Sequence, residues 1–139
     1  MIVQPTGWVF PDGVYVPIHF GYSSPLKTLY KQGKFKGLKS FTGEELKHPS
    51  LDHIKPKSLG GENELGNYVL TNRKENSKRG NKNIDYYLEN NLAGVMEYIK
   101  WFETHIVEGF DCRAYAKKII NTINRVSEKF IIINEKVNL

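Results

Sequence analysis

The sequence predicts an α+β protein in which β elements in the first half of the chain precede helices in the second half. Short runs of β-branched and aromatic residues, bounded by Pro and Gly, lie between residues 8 and 71. After residue 84, apolar residues recur at intervals of three and four, which is typical of amphipathic helices. With 139 residues, 40% of them hydrophobic, the chain is long enough to bury one core, and we expect a single domain over 1–139.

An N-terminal β-hairpin is the first predicted element. Residues 8–10 and 14–16 are apolar and flank Pro-Asp-Gly, a sequence that favours a turn. The following segment, 21–50, contains repeated Gly and Pro residues, and we expect it to be irregular.

Two short strands and a short helix are predicted next. Residues 51–54 form the first strand, which Pro56 ends, and residues 68–71 form the second. A helix begins after Asn72, a good N-cap residue, and Glu75 three positions later predicts a variant of the capping box. Gly80 is the expected end of this helix.

The C-terminal half predicts helices that pack on a core. An apolar stripe runs from Ile84 to Ile106, and either Asn90-Asn91 or Gly94 is expected to interrupt it. A last helix carries the stripe of Tyr115, Ile119, Ile123, Val126 and Phe130.

Composition excludes several classes of protein. The single cysteine, Cys112, cannot form an internal disulfide, and no C-x-x-C pair is present to build a structural zinc site. The sequence has neither an apolar run long enough to cross a membrane nor the pattern of a secretory signal at its start, so we expect a cytoplasmic protein.

Positive charge is concentrated in the first part of the chain. Residues 1–83 carry 13 Lys+Arg and 7 Asp+Glu, whereas residues 84–139 carry 7 and 8. The densest cluster contains Arg73, Lys74, Lys78, Arg79 and Lys82. Such a patch is typical of proteins that bind a phosphate backbone, although on charge alone a solvated basic face remains the alternative.

The segment 51–81 brings together residues suited to phosphodiester hydrolysis. Asp52-His53 lies on the first predicted strand, Asn67 follows His53 by 14 positions, and Asn76 follows it by 23. A neutral imidazole is well matched to deprotonating water near neutral pH. A carboxylate and a carboxamide oxygen are ligands that Mg²⁺ accepts.

The same residues resemble those of a known family. The runs D-H-I-x-P-x-S-x-G-G, N-x-V-L-T and N-x-x-R-G are similar to the motif of the HNH (His-Me finger) endonucleases, in a His-Asn-Asn variant. The offsets are especially similar to the HNH domain of RNA-guided CRISPR effector nucleases. The resemblance implies a ββα-metal finger, a divalent cation such as Mg²⁺ or Mn²⁺, and DNA as substrate.

Roles follow from this resemblance by motif position. It implies that His53 is the general base, that Asp52 and Asn76 are metal ligands, and that Asn67 orients His53 or positions the scissile phosphate. Five basic residues are expected to contact nucleic acid: Lys55, Lys57, Arg73, Lys78 and Arg79. Asp52 and His53 are neighbours on a strand, so they face one site only if the strand ends or bulges there.

This chain departs from many family members, which bind a structural zinc through two C-x-x-C pairs. Residues 41–43 and 72–75 occupy the corresponding neighbourhoods, so no structural zinc is expected. Two other functions remain open, a nucleic-acid-binding module without catalysis and a toxin-type nuclease acting on RNA or DNA. We expect double-stranded DNA as the partner and no membrane. One site cuts one strand, so cleavage of both strands requires a homodimer or two successive nicks.

Overall fold

The N-terminal strands form a small antiparallel sheet. The structure, a computed structural model, describes residues 2–4, 7–9, 15–17 and 25–133. Strand β1 (Ile2–Gln4) pairs with β2 (Gly7–Val9), which pairs with β3 (Tyr15–Pro17) in a register that sets Trp8 opposite Val16. The predicted hairpin is confirmed in its strands, whereas the predicted turn lies outside the described residues. Strand β1 was not predicted.

A second, two-stranded antiparallel sheet lies at the centre of the segment that carries the motif. Strand β4 (Pro49–His53) pairs with β5 (Tyr68–Asn72), with His53 opposite Tyr68. Both strands confirm the prediction. The far edge of β5 is covered, because Leu70 accepts a hydrogen bond from the Phe41 amide at 2.9 Å and donates one to the Tyr98 hydroxyl at 3.1 Å.

Helix α2 (Arg73–Arg79) follows β5 directly and ends at Gly80, whose φ of 57° favours glycine, as predicted. The predicted capping box does not form. The side-chain oxygen of Asn72, Oδ1, accepts instead from the backbone amides of Lys47 and His48, at 2.8 and 3.3 Å. The loop before β4 offers these donors to Asn72, so the side chain joins two segments of the chain instead of capping the helix.

Three further α-helices lie in the described part of the chain, in addition to the 3₁₀-helices Lys57–Leu59 and Leu65–Asn67. Helix α1 (Leu26–Lys31) lies in the segment predicted to be irregular, and it buries Leu26 and Leu29. Helix α3 (Asp85–Thr104) is kinked at Asn91, where φ is −138°, within the predicted interruption. Helix α4 (Cys112–Val126) begins at Asp111, whose carboxylate accepts from the Ala114 amide at 3.0 Å. Phe130 lies beyond the end of α4, which corrects its predicted place in the helix.

Aromatic side chains from α3 and α4 form the core behind the second sheet. Tyr98 packs against Phe41 and Phe102 with ring centroids 5.3 and 5.1 Å apart, and Phe102 packs against Tyr115 at 4.7 Å. Tyr115 also donates a hydrogen bond to the Tyr68 carbonyl. The helices thus fix β5, and an α+β architecture is confirmed. None of the described helices is both long and apolar enough to cross a bilayer.

Candidate active site

His53 is the last residue of β4, and its imidazole lies at the surface of the second sheet. The side chain is partly exposed, and its ring centroid is 4.8 Å from that of Tyr68 on the paired strand. Its Nε2 atom lies 2.9 Å from the carbonyl oxygen of the Asn63 side chain. One ring nitrogen is therefore held by the protein, and Nδ1 makes no hydrogen bond within the described part of the chain.

Asp52 is in the interior, beside the exposed His53. Its side chain is only about 5% exposed, and Oδ1 lies 3.1 Å from Nη1 of Arg79. The Tyr87 hydroxyl donates to Oδ2. Burial raises the pKa of Asp52, although Arg79 and Tyr87 act in the opposite direction. Asp52 is thus held in the interior, whereas His53, the last residue of β4, is partly exposed.

Arg79 is the counter-charge of Asp52 and has no exposed side-chain surface. Its guanidinium also donates to the carbonyl oxygens of His53 and Ile54, and its Nε donates to that of Lys82 at 2.9 Å. The sequence predicts Arg79 as a nucleic-acid contact. The structure instead uses it to hold the backbone around His53, so Arg79 does not belong to the surface that a nucleic acid reaches.

Asn67 lies at the end of the loop between the two strands, and its side chain makes no hydrogen bond to His53. Its side chain is buried, with Oδ1 accepting from the Lys55 amide at 2.8 Å and Nδ2 donating to the carbonyls of Lys55 and Glu62, both at 3.0 Å. Gly61 packs tightly in the same loop, because a Cβ there would lie 1.8 Å from the Lys55 carbonyl oxygen. Asn67 therefore closes the loop that carries Asn63, and any effect of Asn67 on His53 passes through that loop.

Asn76 lies in the middle of α2, half-buried against β4. Its Nδ2 donates to the Ser50 hydroxyl at 3.0 Å and to the Leu51 carbonyl at 3.1 Å. These two bonds fix the carboxamide, and its Oδ1 has no hydrogen-bond partner among the described residues. This carbonyl oxygen is thus free to accept a ligand.

The oxygen donors fit a hard cation in part. Mg²⁺ is commonly held by one or two protein oxygens and completed by water and phosphate, and the free Oδ1 of Asn76 meets that requirement. Each oxygen of the Asp52 carboxylate already accepts one hydrogen bond, from Arg79 and from Tyr87, so its role as a metal ligand stays a prediction. No three His, Cys, Asp or Glu side chains within the described ranges form a metal-binding group.

Basic side chains border this site and the adjoining surface of α2. Lys57, Arg73 and Lys78 are exposed, and Lys55 is partly exposed. A shallow cleft is lined by His48, Asn72, Arg73, Lys74 and Ser77. Four of the five predicted nucleic-acid contacts are therefore accessible, and Arg79 is the exception.

Sequence reasoning missed three side chains of this site. Ser50 and Asn63 hold Asn76 and His53, and Tyr87 binds Asp52. Tyr87 carries no local signal, because it lies 35 positions from Asp52 in a helix whose apolar residues predict only core packing. The alternation of side chains along β4 was the one available signal that Asp52 faces inward.

Comparison with known proteins finds a family match over the segment that carries the site. Residues 39–83, which include β4, β5 and α2, match the family model described as HNH endonuclease. No curated protein and no solved structure matches the chain. HNH nucleases typically use divalent metals and act on nucleic acid. The comparison therefore shows that residues 39–83, the segment that carries His53 and Asn76, are similar to the HNH endonucleases.

Proposed function

We propose that this protein is a metal-dependent endonuclease that hydrolyses phosphodiester bonds of DNA. The observation that carries the proposal is that strand β4, within the segment that matches the HNH endonucleases, ends in the partly exposed His53 and also binds the carboxamide of Asn76, whose carbonyl oxygen is free. A base and a cation ligand are the two groups that the reaction requires from the protein.

His53 supplies the base in this proposal. Its imidazole is partly exposed, so water and a phosphate can approach it, and one ring nitrogen is held by Asn63. The other nitrogen, Nδ1, takes a proton from the attacking water. In this proposal, the proton acceptor is Nδ1 of His53, the last residue of β4.

Asn76 would hold the cation through Oδ1, while Ser50 and Leu51 keep the carboxamide in place. When bound, a divalent cation offsets negative charge on the phosphate and on the leaving oxygen. Asp52 remains a predicted ligand only, since its carboxylate is bound by Arg79 and Tyr87. The family resemblance supports Mg²⁺ or Mn²⁺.

Double-stranded DNA is the substrate we propose. The basic residues Lys55, Lys57, Arg73 and Lys78 lie in the same segment, are accessible, and would bind backbone phosphates in a salt-dependent way. One site cuts one strand, so cleavage of both strands requires either two successive nicks or a homodimer.

The test is cleavage of supercoiled plasmid with Mg²⁺ or Mn²⁺, compared with EDTA. We expect the wild type to nick the plasmid only with the cation. His53→Ala is expected to lower the rate at least a hundredfold, because general-base catalysis contributes about 10²–10⁴. His105→Ala is the matched control: His105 stacks on Trp101 at 4.0 Å on another part of the chain, and this variant should cut normally.

Other outcomes of this experiment support other functions. A folded protein that shifts DNA on a gel but cuts it with neither cation is a binding module. Cleavage of RNA in preference to the plasmid supports the toxin-type nuclease. Equal rates for His53→Ala and the wild type would refute the base assignment.

A further inference from the structure

We propose that Asn63 is a positioning residue that fixes the tautomer of His53 and so selects Nδ1 as the basic nitrogen. The inference rests on the proposed function, in which His53 is the general base. The motif resemblance assigns no role to Asn63. It names Asn67 as the residue that would orient His53, but the side chain of Asn67 makes its hydrogen bonds to the loop backbone.

The hydrogen bond between the two side chains carries the inference. A neutral imidazole has one N–H and one nitrogen with a free lone pair, and the partner of each nitrogen decides which is which. Oδ1 of Asn63 lies 2.9 Å from Nε2 of His53 and can only accept. The proton of the neutral ring therefore sits on Nε2, and the lone pair sits on Nδ1.

The loop that presents Asn63 is held on both sides. Before it, Asn67 binds the carbonyl of Glu62 at 3.0 Å, and the Gly61 amide donates to the Pro56 carbonyl at 2.9 Å. After it, the Asn67 amide donates to the Glu64 carbonyl at 2.9 Å. An exposed side chain on a loop fixed in this way keeps its place relative to β4.

The imidazole is held from its second side as well. The ring of Tyr68 lies 4.8 Å from that of His53, at an angle of 56°. The backbone of His53 is fixed by the pairing with β5 and by Arg79. With ring and backbone restrained, the Asn63 contact sets the direction of the Nδ1 lone pair, which is the geometry that a general base requires.

The first experiment measures the tautomer without any nuclease assay. Nitrogen-15 NMR of the histidine rings, recorded at about pH 8.5 where a histidine is neutral, distinguishes the Nε2–H from the Nδ1–H form. We expect the Nε2–H form of His53 in the wild type and in Asn63→Asp, which keeps an acceptor oxygen. Asn63→Ala should give a mixture of the two forms. An Nδ1–H form in the wild type, or an unchanged spectrum in Asn63→Ala, would overturn the proposal.

The second experiment asks whether the tautomer matters for catalysis. At the same pH, Asn63→Ala is expected to lower kcat by roughly threefold to tenfold with KM unchanged, the effect of one lost hydrogen bond. Asn63→Asp should recover most of this loss. Asn81→Ala, the same substitution at an exposed residue, is the control and should match the wild type. Equal kcat values for the alanine variants at 63 and 81 would refute the positioning role.

The two experiments separate failure of this inference from failure of the proposed function. If the wild type cuts no nucleic acid, the NMR result still decides whether Asn63 fixes the tautomer. If the wild type cuts but both Asn63 variants behave like it, the nuclease stands and the positioning role is refuted.

Discussion

Replacing Arg79 by methionine is expected to destabilise the fold. The substitution leaves the Asp52 carboxylate without its counter-charge at a position only 4% exposed. It also removes the donors to the carbonyls of His53, Ile54 and Lys82. Breaking a buried ion pair costs about 3–5 kcal/mol, a large share of the roughly 5–15 kcal/mol that stabilises a typical domain. A fall in Tm on the order of 10–20 °C follows.

The loss of stability caused by Arg79→Met should depend on pH. Arg79 lowers the pKa of Asp52, whereas burial raises it. Without Arg79, the pKa of Asp52 in the folded chain rises further above its value in the unfolded chain. A folded state that holds its proton more tightly is most stable at low pH and loses stability as pH rises through that pKa. The cost of Arg79→Met is therefore greater at about pH 7 than at about pH 5.

Urea unfolding followed by circular dichroism at the two pH values measures this cost. Lys78→Met is the matched control, because Lys78 is exposed and surface changes usually alter stability by less than about 0.5 kcal/mol. Adding Asp52→Asn to the Arg79→Met variant should restore part of the lost stability, because it removes the unpaired carboxylate charge. If Arg79→Met unfolds like the wild type but binds DNA more weakly, Arg79 is a surface phosphate contact and the buried pair is refuted.

Two other substitutions test the packing around the site. Gly94→Ala should lower the free energy of unfolding by about 1–3 kcal/mol, because its Cβ would lie 2.3 Å from the Thr42 carbonyl oxygen. Urea unfolding measures this change. An increase in stability, which Gly→Ala usually brings within a helix, would contradict the close contact. Asn67→Ala removes three side-chain hydrogen bonds from a buried position and should cost about 2–4 kcal/mol in the same assay. It should also speed proteolysis within loop 55–62, and an unchanged cleavage rate would show that Asn67 does not close this loop.

Local patterns predicted most of the segment around the site. Periodicity and turn chemistry reveal features that depend on residues close in sequence. These features are strands β4 and β5, the end of α2 at Gly80 and the kink near Asn91. Helix α1 was missed because it is only six residues long and buries just Leu26 and Leu29, too few to show a helical period.

Contacts between distant residues explain what the sequence did not predict. Arg79 and Tyr87 meet Asp52 across 27 and 35 positions. Nothing in the local pattern distinguishes a basic residue that turns inward from the exposed ones beside it. The motif indicated Asp52 by its chemistry, but only the structure shows that its carboxylate lies in the interior, bound by Arg79 and Tyr87.

Hydrogen bonds join the two segments at which many similar nucleases bind structural zinc. The Glu75 carboxylate accepts from the Ser40 hydroxyl at 3.1 Å, from the Thr42 hydroxyl, and from the Asn72 carboxamide at 3.2 Å. Burial raises the pKa of Glu75, as expected for a carboxylate withdrawn from water. Asn72 extends the link to the carbonyl of Glu45 at 2.8 Å. The start of α2 is thus tied to the chain before β4 by side chains that local propensity would assign to a helix cap, and the same helix carries Asn76, which bonds to Ser50 and Leu51 of β4.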